Sequence, residues 1–271
     1  MVLFHDRTSL AKDFKNLGIT AGDTVMVHAS IKSVGNVAGG ADQILYALED
    51  TIAPSGTIMM YVGCETGFDE VGRGRLSTQE ETELLEKMSA FDYQTFRADR
   101  NFGALAEVFR TQVGTITSNQ VGSRMAARGT NAKFLLENHP HNYSYGVGSP
   151  LEKLLQLNGK ILLLGSDHDA VTFLHYVEHV VEIPDKKVAR YKVPLLVEGQ
   201  RKWIEMEEFN TAGDGVHQSW PDRFFAQIID TFIEKTSNQG GKVGNANCHI
   251  IDVARLLSHA VNAMKQKALT P

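Results

Sequence analysis

Three short apolar runs constrain this chain's fold more than anything else in it: Asp23-Thr-Val-Met-Val-His28, Thr57-Ile-Met-Met-Tyr-Val62 and Lys160-Ile-Leu-Leu-Leu-Gly165. They are uninterrupted rather than alternating, and each is too short for a helix. That pattern belongs to strands covered on both faces. Between the first two lie a polar loop at residues 29–40, an amphipathic stretch at 41–52 with Ile44, Leu45 and Leu48 on one face, and the turn Pro54-Ser-Gly56. Strand, helix and strand in that order predict a parallel pair with a right-handed crossover.

The rest of the chain extends this α/β reading. An opening helix is expected at 9–17, capped by Thr8 and stopped by Gly18. Further helices are expected at 103–110, 131–138, 171–183 (ended by Pro184), 222–234 and 252–265. Ser149 and Pro150 fit the N-cap and first position of a helix at 151–157. Residues 187–206, with Glu198-Gly-Gln200 as the turn, read as a β-hairpin. Residues 63–100 form a long excursion whose charged part, 72–86, is expected to be exposed or locally helical. Residues 240–244 read as a glycine-rich turn or loop. No repeat or linker divides the sequence. The expected fold is one domain over 1–271, with a central mixed, largely parallel sheet flanked by helices and a small antiparallel addition.

A net charge of -5 and a pI near 6.1 argue against bulk nucleic-acid binding and suit a cationic partner. No apolar run is long enough to span a bilayer, and no signal-like apolar region opens the chain, so a cytoplasmic location is expected. Cys64 and Cys248 form no CxxC pair or zinc spacing.

Two segments carry chemistry. The first strand leads into a loop holding Ser30, Ile31, Lys32, Ser33, Val34 and Gly35. Hydroxyls, a lysine and backbone N–H groups before a helix suit an anion, although the spacing alone is that of an ordinary polar loop. The second follows the third strand. On a helical wheel Thr172, His175, Glu178, His179 and Glu182 share one face, opposite Phe173, Leu174, Val177, Val180 and Val181. A carboxylate three residues from a histidine can orient its ring and raise its basicity. The position at a strand's C-terminal end is where open α/β sheets bind ligands. His175-Tyr-Val-Glu178-His179 also matches the HxxEH zinc-hydrolase pattern, without a marked third ligand. Acidic residues, among them Glu65, Asp169, Glu205, Glu207 and Glu208, could line a cationic site.

Taken in order, His28-Ala-Ser-Ile-Lys-Ser-Val-Gly with Gly39-Gly40, Pro54-Ser-Gly-Thr-Ile-Met-Met-Tyr61, Tyr145-Gly-Val-Gly-Ser-Pro-Leu151, Gly159-Lys-Ile-Leu-Leu-Leu-Gly165, Thr172-Phe-Leu-His-Tyr-Val-Glu178 and Gly241-Lys-Val-Gly244 resemble the aminoglycoside 3-N-acetyltransferase family over nearly the whole chain. The resemblance implies direct acetyl transfer from acetyl-CoA to the 3-amino group of a 2-deoxystreptamine aminoglycoside, without a metal. By it, Ser30–Gly35 would hold CoA, His175 would be the general base, Glu178 would orient it, and Thr172 would assist by hydrogen bonding. Tyr61, Asp69, Asp169 and Asp214 are the residues expected on the aminoglycoside side. A homodimer is an option the sequence leaves open. The chain departs from the family pattern at Thr117-Ser-Asn-Gln120 and at Val62-Gly-Cys-Glu-Thr, both acceptor-side positions. The alternative reading is the same transfer to another amine.

Overall fold

The computed structural model describes residues 3–64, 71, 74–184, 186–210 and 220–268. In its first half the chain forms α1 (Arg7–Asn16), β1 (Thr24–Ala29), α2 (Ile31–Val34), α3 (Asp42–Ile52), β2 (Thr57–Tyr61), α4 (Thr78–Lys87), α5 (Ala104–Thr111), β3 (Ile116–Thr117), β4 (Met125–Gly129) and α6 (Ala132–Leu136). Then follow α7 (Pro150–Gln156), β5 (Lys160–Leu164), α8 (Phe173–Val180), β6 (Val188–Val197), β7 (Gln200–Phe209), α9 (Phe224–Thr236), β8 (Gly241–Val243), β9 (Ala246–Asp252) and α10 (Val253–Ala268).

The three apolar runs are neighbours at the centre of one mixed sheet of order β3-β4-β2-β1-β5-β9-β8. β1 is parallel to β2 on one side and to β5 on the other. The flanking pairs are antiparallel. Alternation along the central strands feeds two cores. Met26, Met59, Ile161 and Leu163 pack under α6 to α10. Val25, Val27, Ile58, Leu162 and Leu164 pack under α1, α3 and α5. Helices therefore cover both faces, as a parallel centre requires.

Several boundaries differ from the sequence reading. α1 is capped by Asp6 rather than Thr8, because Asp6 accepts the Ser9 N–H at 2.7 Å while Ser9 Oγ accepts the Asp6 N–H at 3.0 Å, a reciprocal capping box. The segment read as a glycine loop supplies β8, which pairs with β9. The hairpin stands as expected, with Glu198 and Gly199 both at positive φ, the geometry of a tight type I′ turn.

That hairpin organises the excursion. Phe91 N–H donates to Pro194 O at 2.7 Å and Leu196 N–H to Phe91 O at 2.8 Å, and Met88, Phe91, Val193, Leu195 and Met206 form a third, smaller core. Beneath it Arg124 is fully buried. Its guanidinium donates to Phe96 O at 2.9 Å and Gly63 O at 3.3 Å and lies over the Phe91 ring. Burial lowers this group to about 10, which still leaves it charged at neutral pH. Arg124 thus pins both ends of the excursion to the sheet. Among the described residues no helix is long and apolar enough to cross a membrane.

Candidate active site

The site grows from the C-terminal ends of the parallel strands. β5 ends at Leu164 and the chain turns at Gly165 with φ 62. A Cβ there would lie 2.5 Å from Ser33 Cβ, so only glycine lets the β5 end approach the β1 loop this closely. Ser33 Oγ donates to Gly165 O at 3.2 Å and the Ser30 N–H to Leu164 O at 2.9 Å. The segment Ser30–Gly35 is thereby fixed beside the β5 end, with Ile31–Val34 as one helical turn and Lys32 exposed.

Beyond Gly165, Asp167 caps a 3-10 turn over His168–Ala170 by accepting the Asp169 N–H at 2.8 Å. Thr172 then starts α8. A cavity of about 340 Å³ opens here. It is lined by four residues expected from the sequence, Tyr61, Asp169, Thr172 and His175, together with Tyr145, Tyr191, Phe225 and Glu208. Ser30–Gly35 does not line this cavity; it flanks the 165–172 segment on the β1 side. Asp69 and Asp214, with Glu65, lie outside the described residues.

The central contact joins His175 Nδ1 to Glu178 Oε2 at 2.8 Å. His175 is partly accessible, with its side chain 27% exposed, while that of Glu178 is 2% exposed. Glu178, on the polar face of the wheel beside His175, is buried: α8 packs against α7 and α10 on one side, and β7 and the Tyr143–Gly146 loop cover the other. Val180, assigned to the apolar face, is instead 42% exposed. The ring of His175 sits 4.9 Å from that of Tyr145 and 5.0 Å from that of Phe225, so two aromatics from distant segments hold it in place. Lys186 Nζ donates to the carbonyls of Glu178 and Val181, closing the C-terminus of α8 with a cation.

The HxxEH pattern does not form a metal site. His179 Nδ1 bonds His175 O at 2.8 Å, and its Nε2 bonds Glu208 Oε1 at 2.8 Å, so both ring nitrogens are committed to protein acceptors. Among the described residues no group of three metal-ligating side chains is suitably placed. Burial would raise the Glu208 carboxyl, but hydrogen bonds from His179, Ser144 and the Phe209 N–H outweigh it and keep the group below the ordinary range. Glu207 and Glu205 belong elsewhere; they pair with Arg190 and Lys192 on the open hairpin. Asp169 accepts the Ala226 N–H at 3.0 Å at the start of α9. His28 and His139 are held neutral by burial, each lowered to about 4.

Tyr145, Phe225 and Glu208 had no assigned part in the sequence reading beyond the membership of Glu208 in an acidic cluster. Tyr145 stood inside a quoted motif, and its tyrosine-glycine pair was the one local signal. Its hydroxyl lies 3.0 Å from that of Tyr61, whose own proton goes to Gly122 O at 2.8 Å.

A partly accessible histidine bonded to a buried carboxylate, on a cavity wall beside the ends of the parallel strands of a mixed α/β sheet, is an arrangement that can do general-base chemistry. Known proteins make the class specific. Residues 26–265 match the family model "Aminoglycoside 3-N-acetyltransferase". An aminoglycoside N(3)-acetyltransferase III of Pseudomonas aeruginosa is 36% identical over 97% of this chain and 94% of its own length. Among solved structures, AAC-IIIb in binary complex with CoASH superposes with a TM-score of 0.90 at 37% identity, covering 99% of both chains. AAC-VIa bound to sisomicin gives 0.89 at 30%, covering 97% of this chain and 98% of that one. The chain belongs to the aminoglycoside 3-N-acetyltransferase family, a family of acyltransferases.

Proposed function

We propose that this chain transfers the acetyl group of acetyl-CoA directly to the 3-amino group of 2-deoxystreptamine aminoglycosides, with His175 as general base. The observation that carries the reading is the His175–Glu178 pair at the cavity wall, in a chain similar end to end to enzymes with that activity. An ammonium has no lone pair to attack a thioester, so the acceptor first loses one proton to solvent, and a base must take a second from the attacking neutral amine. Nε2 of His175, the ring nitrogen opposite the one bonded to Glu178, does this as the N–C bond forms. The buried carboxylate balances the imidazolium charge. The C–S bond then breaks, and the proton passes to the departing CoA thiolate.

Ser30–Gly35 suits the phosphates and pantetheine of acetyl-CoA. It lies at the ends of two parallel strands and presents the exposed Lys32 beside the segment that leads to His175. Thr172, which starts α8 and lines the cavity, assists by hydrogen bonding near the thioester in this reading. Tyr61 and Asp169 line the acceptor side, and Asp69 and Asp214 are assigned there by family resemblance. The aromatic walls fit sugar rings and ammonium groups. A cytoplasmic location follows from the co-substrate.

One observation favours a second acceptor class. Asp169 and Glu208, both on the cavity wall, already accept hydrogen bonds from the protein. A less cationic amine would need fewer carboxylates. Product analysis decides between the two: a single acetyl group on the 3-amino nitrogen, located by NMR, is expected. Acetylation at another position, or of no aminoglycoside across a broad panel while another amine is modified, would overturn the first reading.

A further inference from the structure

The second histidine of the HxxEH pattern carries the inference. Its Nδ1 lies 2.8 Å from His175 O, and its Nε2 lies 2.8 Å from Glu208 Oε1. A peptide carbonyl and a carboxylate oxygen are acceptors only. A neutral ring has one N–H, so one of these contacts would set lone pair against lone pair. Flipping the ring would put carbon where both nitrogens now sit and lose both bonds. We infer that His179 is held as an imidazolium, donating through both nitrogens, and that it is a positioning residue for His175.

The surroundings support both halves. The His179 side chain is 6% exposed, and a buried cation is tolerable where its counter-charge is in contact and fully hydrogen-bonded. Glu208 meets that condition. Oε1 also accepts the Phe209 N–H at 2.9 Å, and Oε2 accepts the Ser144 N–H at 2.7 Å and Oγ–H at 2.8 Å. All four of its acceptor positions are used, so Glu208 lines the cavity without being a ready ligand for a substrate ammonium. The other charged and titratable groups around His179 are His175, Tyr143, Tyr145 and, across the Phe209 ring, Lys186.

The pair links two parts of the site. Through His179 it fixes the α8 turn whose carbonyl belongs to His175. Through Ser144 it fixes the loop that presents Tyr145 to the His175 ring. At Gly146 a Cβ would lie 2.8 Å from His179 Cδ2, so a side chain there would displace the ring. The His175–Glu178 base is thus held from its backbone and from its stacked face by one ion pair. The catalytic consequence rests on the acetyltransferase reading; the protonation state does not.

The test therefore has two arms. Imidazole ¹⁵N NMR of the unmodified protein in the assay buffer is expected to show His179 with both nitrogens protonated. A single-proton tautomer there would overturn the inference, whatever the enzyme's substrate. In the second arm, His179→Ala should lower kcat by about ten- to a hundredfold, leave the KM for acetyl-CoA within about twofold, and shift the His175 ring signals. His179→Gln, whose amide can still donate to Glu208, should recover part of the loss. An unchanged kcat together with unmoved His175 signals would remove the positioning role. Absence of turnover in the unmodified protein would instead count against the acetyltransferase reading, while the His175 signals would still decide the positioning role.

Discussion

Replacing Glu178 by glutamine isolates what the buried carboxylate contributes. The side chain keeps its size in a site that exposes 2% of it, so packing is preserved and only the charge is lost. His175 can still donate from Nδ1 to the glutamine oxygen, so ring orientation is retained. What disappears is the charge assistance to a 2.8 Å bond as the ring becomes an imidazolium. Hydrogen bonds to charged groups contribute about 1.5–3 kcal/mol and neutral ones about 0.5–1.5, so the charge itself contributes about 1–1.5 kcal/mol. At about 1.36 kcal/mol per tenfold in rate, kcat should fall roughly five- to thirteenfold. Folding stability should change by less than about 1 kcal/mol, because removing the charge also removes its desolvation cost. CoA release, followed with a thiol reagent at saturating acetyl-CoA and acceptor, reads the rate; a thermal transition reads the stability. A Glu178→Gln enzyme within about twofold of the parent kcat would show that the pair does not act in the rate-limiting step.

Other perturbations test the supports of the site. Arg124→Met should lower stability by about 2–4 kcal/mol, since it leaves buried carbonyls at Gly63 and Phe96 without a donor; an unmoved urea midpoint would contradict this. Gly165→Ala should cost about 1–3 kcal/mol through its positive φ and raise the KM for acetyl-CoA by displacing Ser33, with unchanged kinetics as the opposing result. Burial would raise the Glu107 carboxyl, but Arg110, the Ala98 N–H and Arg97 hold it at about 2 against an ordinary 4.5. The folded state therefore binds that proton less readily than the unfolded one. The stabilisation is complete above about pH 4.5 and is lost as pH falls towards about 2. Urea titrations should show a shallower decline over that window in Glu107→Gln, and an identical decline would refute the assignment.

Much of the fold was legible because the central strands advertise themselves. β1, β2 and β5 are buried on both faces, so their sequences are continuous apolar runs. The outer strands carry no such signature. β4 reads Met-Ala-Ala-Arg-Gly, in which alanine and arginine favour helix locally, and it is a strand only because β2 and β3 flank it. In β9 Asn247 and His249 interrupt the apolar residues, and its hairpin with β8 opens on glycines, so local signals pointed to a loop. At the site, His175, Thr172, Asp169 and Tyr61 could be read because each sits at the end of a recognisable strand or on the helix that follows one. Tyr145, Phe225 and Glu208 reach the same cavity from segments remote in sequence. The spacing of Glu178 from His175 was legible on a wheel, but its burial was not, because a wheel sees one helix and not the strand and loop that cover it.

The central claim is that His175 acts as the base in acetyl transfer within this cavity. The most direct measurement is CoA release from acetyl-CoA, with and without a 2-deoxystreptamine aminoglycoside and without added metal, for the parent protein and His175→Ala. The account predicts release only when both substrates are present, and a collapse of kcat in the variant while acetyl-CoA still binds. Equal release by parent and variant would contradict it, since the proposed base would then be dispensable.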